Sequence, residues 1–147
     1  MNQSSILLKV SQLLTLEHTA NLSNPHESCA VLLGKKKENV YEVYEVYEVI
    51  PVSNKYSSEV SFGMDENELL KIYEYAESSN ISVVGIFHSH PSRPVPSETD
   101  KAFMEINPVP WIIKSTITDE MRCFIFSDVL KGKIEGIEEI KMIVVKD

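Results

Sequence analysis

The residues of this 147-residue chain that are best suited to chemistry are His88, His90, Ser97 and Asp100, which fall within one short stretch. Two imidazoles and one carboxylate are the ligand set of a catalytic zinc site, in which the fourth position stays open. The spacing therefore predicts a metal centre, which we favour over the alternative that the two histidines are ordinary surface residues.

A strand is expected to deliver the two histidines. The apolar segment 81–87 is rich in β-branched residues and leads directly into them. Alternate residues of a strand share a face, so His88 and His90 would project together with their Cα atoms about 6.6 Å apart. Pro91 lacks an N–H group and marks the exit into a loop. The two rings can therefore converge on one metal ion.

The start of a helix is expected to deliver the aspartate. Ser97 and Asp100 follow the proline-rich loop 91–96 with the spacing of a capping box, in which Ser97 is the N-cap. Capping alone would explain both residues, and the spacing leaves that alternative open. The two roles are compatible, because one carboxylate oxygen can cap the helix while the other binds a metal.

The segments 85–91 and 96–100 resemble the signature of the JAMM (MPN+) zinc metalloproteases, in their compact single-domain prokaryotic and archaeal form. The stretch 25–34 resembles the upstream part of that signature and nominates Glu27 as the catalytic base. From composition alone, three other glutamates would be equally eligible: Glu17, Glu45 and Glu59. Two departures are a loop between His90 and Asp100 that is one residue shorter than expected, and Ala30 where a glycine is usual.

The resemblance implies the fold, the cofactor and the reaction. The fold would be a mixed α/β (α+β) domain with a curved, mostly antiparallel central sheet flanked by helices, similar to that of cytidine deaminases. One Zn²⁺ per chain would be held by His88, His90 and Asp100. Glu27 would transfer protons, and Ser97 would donate a hydrogen bond to the developing oxyanion. The substrate would be an amide bond after the C-terminal glycines of ubiquitin or a ubiquitin-like modifier.

Three alternatives stay open at this point. The first is a JAMM protease that processes a sulfur-carrier protein or releases an amino acid from it. The second is a non-catalytic MPN scaffold, which the complete ligand set disfavours. The third is a zinc deaminase, which would need a Pro-Cys-x-x-Cys segment; neither Cys29 nor Cys123 lies in one.

Length, net charge and cysteine usage limit the classes of partner and the location that the sequence predicts. The length indicates a single domain spanning residues 1–147. A net charge of −8 disfavours nucleic acid as the main partner, and no apolar run is long enough to span a membrane. Cys29 and Cys123 both lie in apolar runs, which predicts reduced core residues and a cytoplasmic location.

The remaining elements follow from periodicity and from turn residues. Helices are expected at 11–22 with Ser11 as N-cap, at 66–77 with Asp65 as N-cap, and at 97–106. Strands are expected at 6–10, at 29–33 ending at Gly34 with Lys35–Lys37 in a turn, at 81–90, 111–117, 122–126 and 134–145. A repeated Tyr-Glu-Val segment predicts a strand over 41–50 whose inward residues are Tyr41, Val43, Glu45, Tyr47 and Val49. The resemblance to JAMM proteases implies that residues 52–62 border the groove for an extended substrate tail.

Overall fold

A computed structural model describes residues 4–38, 41–54, 64–126 and 136–147. Within these residues the chain forms seven strands and three helices. In chain order they are β1 Ser5–Lys9, α1 Val10–Ser23, β2 Ser28–Glu38, β3 Glu42–Val52, α2 Glu66–Ser78, β4 Ser82–His90, α3 Glu98–Ile106, β5 Trp111–Ser115, β6 Met121–Phe126 and β7 Ile137–Val145.

The strands form one sheet that closes on itself in the order β1-β3-β2-β4-β5-β6-β7, with β7 returning to β1. Strand β1 lies parallel to both β3 and β7, and β4 lies parallel to β5, whereas the other neighbouring pairs are antiparallel. The prediction of a curved, mostly antiparallel sheet with flanking helices is therefore confirmed. None of the helices in the described ranges is long and apolar enough to cross a membrane.

The two faces of the sheet bury separate cores. Leu16 and Ala20 of α1 pack into the first core, whereas Ile72 of α2 and Met104 of α3 pack into the second. Cys123 belongs to the first core and Cys29 to the second, and both are buried free thiols. The prediction that the cysteines are reduced core residues is confirmed, because the sheet itself separates them.

The predicted inward face of the Tyr-Glu-Val strand is wrong from Tyr41 through Tyr47 and holds only at Val49. Tyr44 and Val46 are buried in the first core, whereas Tyr41 and Tyr47 are 50% and 40% exposed. Leu33 pairs with Glu48 and Gly34 with Val46, so Tyr47 is the extra residue of a β-bulge. The bulge reverses the alternation, and Val49 then packs on the same core. Because Tyr47 is left unpaired, Val46 and Val49 face the same core although they are three positions apart.

Strand β2 continues through Gly34, so the prediction that Gly34 ends the strand and that Lys35–Lys37 form a turn is wrong. A Cβ atom on residue 34 would lie 1.9 Å from the carbonyl oxygen of Glu45, so only glycine permits this approach of β3. The lysines are tolerated in a strand because neighbouring glutamates neutralise two of them: Lys36 pairs with Glu38 and Glu42, and Lys37 with Glu45.

Two other boundaries differ from expectation. Lys9, not Ser11, is the N-cap of α1, because the Gln12 side chain accepts a hydrogen bond from the Lys9 N–H at 2.8 Å. Strand β5 ends at Ser115, whose hydroxyl accepts the N–H groups of Ile117 and Thr118 in a turn. Most of the predicted groove segment 52–62 and the start of the last predicted strand lie outside the described residues.

Gly34→Ala is expected to destabilise the fold by about 3 kcal/mol or more, because the new methyl group overlaps backbone that a bulge already constrains. The check is the urea midpoint of unfolding, compared with Lys35→Ala at the neighbouring exposed position, which should change stability by less than about 0.5 kcal/mol. Equal midpoints for the two variants would contradict this account of Gly34.

Candidate metal centre

The C-terminal end of β4 carries His88 and His90 on the face of the sheet that holds the second core. Both side chains are almost completely buried, and their ring centroids lie 4.9 Å apart at an interplanar angle of 67°. The intervening Ser89 points to the opposite face, as the period of a strand requires. The predicted convergence of the two imidazoles is therefore present.

Each imidazole is oriented through its Nδ1 atom. His88 Nδ1 lies 3.4 Å from the carbonyl oxygen of Ser28, and His90 Nδ1 lies 2.6 Å from Ser92 Oγ. Contacts of this kind select the tautomer and leave Nε2 as the atom that can bind a metal. Burial lowers the pKa of His88 to about 4, an effect that the Asp100 carboxylate only partly opposes. His88 is therefore neutral at pH 7, which is the form that binds metals.

Asp100 enters the site from the first turn of α3, and the predicted capping box is present. The Ser97 N–H donates to Asp100 Oδ2 at 2.9 Å, and the Asp100 N–H donates to Ser97 Oγ at 3.1 Å. Asp100 Oδ1 lies 3.5 Å from His88 Nε2, and Oδ2 lies 3.9 Å from His90 Nε2. Asp100 therefore both caps the helix and faces the two imidazoles.

The three side chains fit a zinc ion. One donor atom from each of His88, His90 and Asp100 lies within 4.8 Å of the others. Tetrahedral coordination at 2.0–2.1 Å places donor atoms about 3.3–3.4 Å apart, close to the separations between Asp100 and the histidines. Within the described residues, His90 Nε2 is buried without a hydrogen-bond partner. A buried polar atom left this way is costly, and a bound cation would satisfy it.

Glu27 also reaches this site, from the residue that precedes β2. Its side chain is buried, and its Oε1 atom lies 3.2 Å from His88 Nε2. Burial, assisted by repulsion from Asp100, raises the pKa of Glu27 to about 7. A carboxyl group with such a pKa can both accept and release a proton near neutrality. Of the other eligible glutamates, Glu45 instead pairs with Lys37 on the surface, and Glu59 lies outside the described residues.

The structure thus gathers all five residues that were singled out from the sequence. Ser97 keeps an exposed side chain at the start of α3, and its hydroxyl still has a proton to donate while it caps the helix. Sequence reasoning missed the supporting residues Ser28, Ser89 and Ser92. Their positions next to Glu27, between the histidines and two residues after His90 were the available signal, but serine is too common for that signal to be noticed.

Comparisons with known proteins match one protein family and two curated proteins. The family described as prokaryotic homologs of the JAB domain matches residues 10–126. A desampylase from Pyrococcus furiosus is 38% identical over 123 residues, which cover 83% of this chain and 79% of that protein. A desampylase from Haloferax volcanii is 39% identical over 79 residues, 52% of this chain and 53% of that protein.

A solved structure shares the fold. The solution structure of protein DSY2949 from Desulfitobacterium hafniense matches with a TM-score of 0.79 and 25% sequence identity. The match covers 97% of this chain and 94% of that one.

Asp100→Ala is expected to remove zinc and also to lower the stability of the metal-free protein by about 1 kcal/mol, because one side chain serves both purposes. Asp65→Ala is the matched control, since Asp65 caps α2 by accepting the N–H groups of Asn67 and Glu68 and lies outside the three-residue donor group. It should cost similar stability and leave zinc bound. Zinc content is measured by atomic absorption and stability by urea unfolding; stoichiometric zinc in Asp100→Ala would reduce Asp100 to a cap.

Proposed function

Because this chain belongs to the family of prokaryotic homologs of the JAB domain, we propose that it is a zinc-dependent isopeptidase that cleaves after the C-terminal glycines of a ubiquitin-like modifier. Its general class is that of a JAMM-type hydrolase acting on isopeptide bonds. The observation that carries the proposal is the buried Glu27 carboxyl, which lies 3.2 Å from a histidine of the three-donor group. A purely structural metal site has four protein ligands and needs no such base.

His88, His90 and Asp100 would hold the metal, and each is already oriented by a second contact. Bound zinc would supply a nucleophile at neutral pH, since it lowers the pKa of water from about 15.7 to about 7. Three protein ligands leave one position open for that water. The neutral state of His88 means that little proton release is needed before the metal binds.

Glu27 would move the proton that the reaction requires. It accepts a proton from the attacking water at a carboxylate oxygen and then returns that proton to the departing amine. The second transfer matters because an unprotonated amine is a poor leaving group. Before the metal binds, burial raises the pKa of Glu27, and a general acid–base works best when its pKa lies near the working pH.

Ser97 would stabilise the negative charge that develops on the carbonyl oxygen. Its hydroxyl oxygen accepts the Asp100 N–H, and this contact holds the side chain at the rim of the site beside a metal ligand. The hydroxyl proton is then free to point towards the substrate. A preorganised donor of this type contributes about 10²–10³ in rate.

The end of β3 offers a place for an extended substrate tail. In the described residues, β3 pairs with β1 only at Val43–Glu45, while its other edge pairs with β2 through to Val52. Val52 lies opposite Cys29, two residues from Glu27. A tail that adds along the open edge by main-chain hydrogen bonds would run towards the base. The name desampylase, carried by the two curated relatives, supports a protein modifier as the substrate.

The test is a panel of ubiquitin, ubiquitin-like and sulfur-carrier proteins, each supplied as a linear fusion and as a lysine conjugate. Zinc-loaded protein should cleave after the terminal glycines of at least one modifier, lose the activity on chelation and regain it with added zinc. Mass spectrometry of the products locates the cut. Zinc-loaded protein that leaves the whole panel intact would contradict the proposal.

Glu27→Gln should lower kcat by about 10²–10⁴ with zinc still bound, because the amide keeps the shape of the side chain and loses its proton transfer. Glu45→Gln is the control, since the sequence made Glu45 equally eligible and the structure places it beside Lys37. Its rate should match the wild type. Retained activity in Glu27→Gln would remove Glu27 from its role.

Ser97→Ala should lower kcat by about 10²-fold and leave KM within a few-fold, because the lost donor acts on the transition state. Ser97→Thr keeps the hydroxyl and the cap, and should retain most of the rate. Steady-state kinetics on the cleaved substrate decide between the roles. Equal rates for Ser97→Ala and Ser97→Thr would leave Ser97 as a cap alone.

A further inference from the structure

The peptide group that follows the proposed base is held by a side chain at each of its polar atoms. The carbonyl oxygen of Glu27 accepts a hydrogen bond from Asn54 Nδ2 at 2.8 Å. The N–H of Ser28, in the same peptide group, donates to Ser89 Oγ at 3.2 Å. The plane of this peptide group sets the direction in which the Glu27 side chain leaves the backbone.

Ser28 and Ser89 are linked by a second contact. Their hydroxyl oxygens lie 2.5 Å apart, and both side chains are almost completely buried. They occupy opposite positions on the paired strands β2 and β4, on the face away from the histidines. Because both hydroxyls are buried, the pair cannot contact solvent or a partner at the surface. No step of the proposed reaction uses it.

Ser28 also contacts the metal centre itself. Its carbonyl oxygen faces Nδ1 of His88 at 3.4 Å. One residue is therefore tied to the base through its N–H group and to a zinc ligand through its carbonyl group. Ser89 fixes this residue from β4, the strand that also carries both histidines.

We propose that Ser89 is a positioning residue for the reaction, which acts through Ser28 to align Glu27 with His88. In its effect on rate the inference rests on the proposed function, whereas its effect on metal affinity does not. Removal of the hydroxyl leaves the Ser28 N–H and Oγ buried without this partner, and buried polar groups in that state drive local rearrangement. A displacement of a catalytic group by about 1 Å can cost about 10²-fold in rate.

The first test compares Ser89→Ala with Ser5→Ala, which removes a buried serine hydroxyl from β1. Zinc affinity is measured by competition with a chromophoric chelator, and ligand geometry by the visible spectrum of the cobalt-substituted protein. Ser89→Ala should bind zinc about 10-fold more weakly, at the lower end of the effect of groups that orient metal ligands, and its cobalt spectrum should shift. Ser5→Ala should change neither.

The second test uses kinetics on a cleaved member of the panel. Ser89→Ala should lower kcat about 10- to 100-fold with KM within twofold, because the substrate contacts are unchanged. Ser28→Ala should give a smaller loss, because the backbone N–H of residue 28 still donates to Ser89 Oγ, and the double variant should be no worse than Ser89→Ala. Ser89→Thr retains the hydroxyl and should recover most of the zinc affinity and rate.

The outcomes separate this inference from the proposed function. Folded Ser89→Ala with wild-type zinc affinity, cobalt spectrum and kcat would overturn the positioning role, even if its melting temperature fell. If Ser89→Ala does not fold, the same measurements are made on Ser28→Ala and Ser89→Thr. If no substrate is cleaved, the proposed function fails, yet weaker zinc binding and a shifted cobalt spectrum would still support the link from Ser89 to His88.

Discussion

The pairing of β2 with β4 holds the two halves of the site together. In this register Ser28 lies opposite Ser89 and Cys29 lies opposite His88, so Glu27 arrives beside the histidines. Strand β5 pins the other edge of β4, with His90 opposite Ser115. A slip of one residue would turn every side chain of β4 to the opposite face. Both edges of the histidine strand are therefore occupied by neighbours that oppose such a slip.

Burial has opposite effects on the two titrating groups that face each other in the site. It raises the pKa of Glu27 and lowers that of His88, because low polarity disfavours the charged form of either group. The carboxyl group becomes a usable proton carrier, and the imidazole becomes a neutral ligand. One physical cause thus acts on the two groups, 3.2 Å apart, that we propose as base and metal ligand. The buried Nε2 of His90 adds a local cost that metal binding would relieve.

The parts of the site that were predictable from the sequence are the local ones. Strand alternation places His88 and His90, and a capping box places Asp100, because both geometries are set within a few residues. Glu27 depends on a strand pairing between residues that are 61 positions apart, so only a family resemblance could nominate it. The face of β3 was mispredicted because its bulge arises where β3 meets Gly34 on another strand. Periodicity within one segment carries no information about such a contact.

The closed sheet has a consequence for how the chain acquires its structure. Strand β1 lies between β3 and β7, so the seam of the sheet joins residues 5–9 to residues 141–145. Contacts that span so much of the chain carry a large entropy cost for closure and slow the search for the native state. During synthesis the sheet cannot close until β7 has left the ribosome. The residues of the candidate metal centre, all within 27–100, therefore lie in an open sheet until β7, which supplies none of them, has paired.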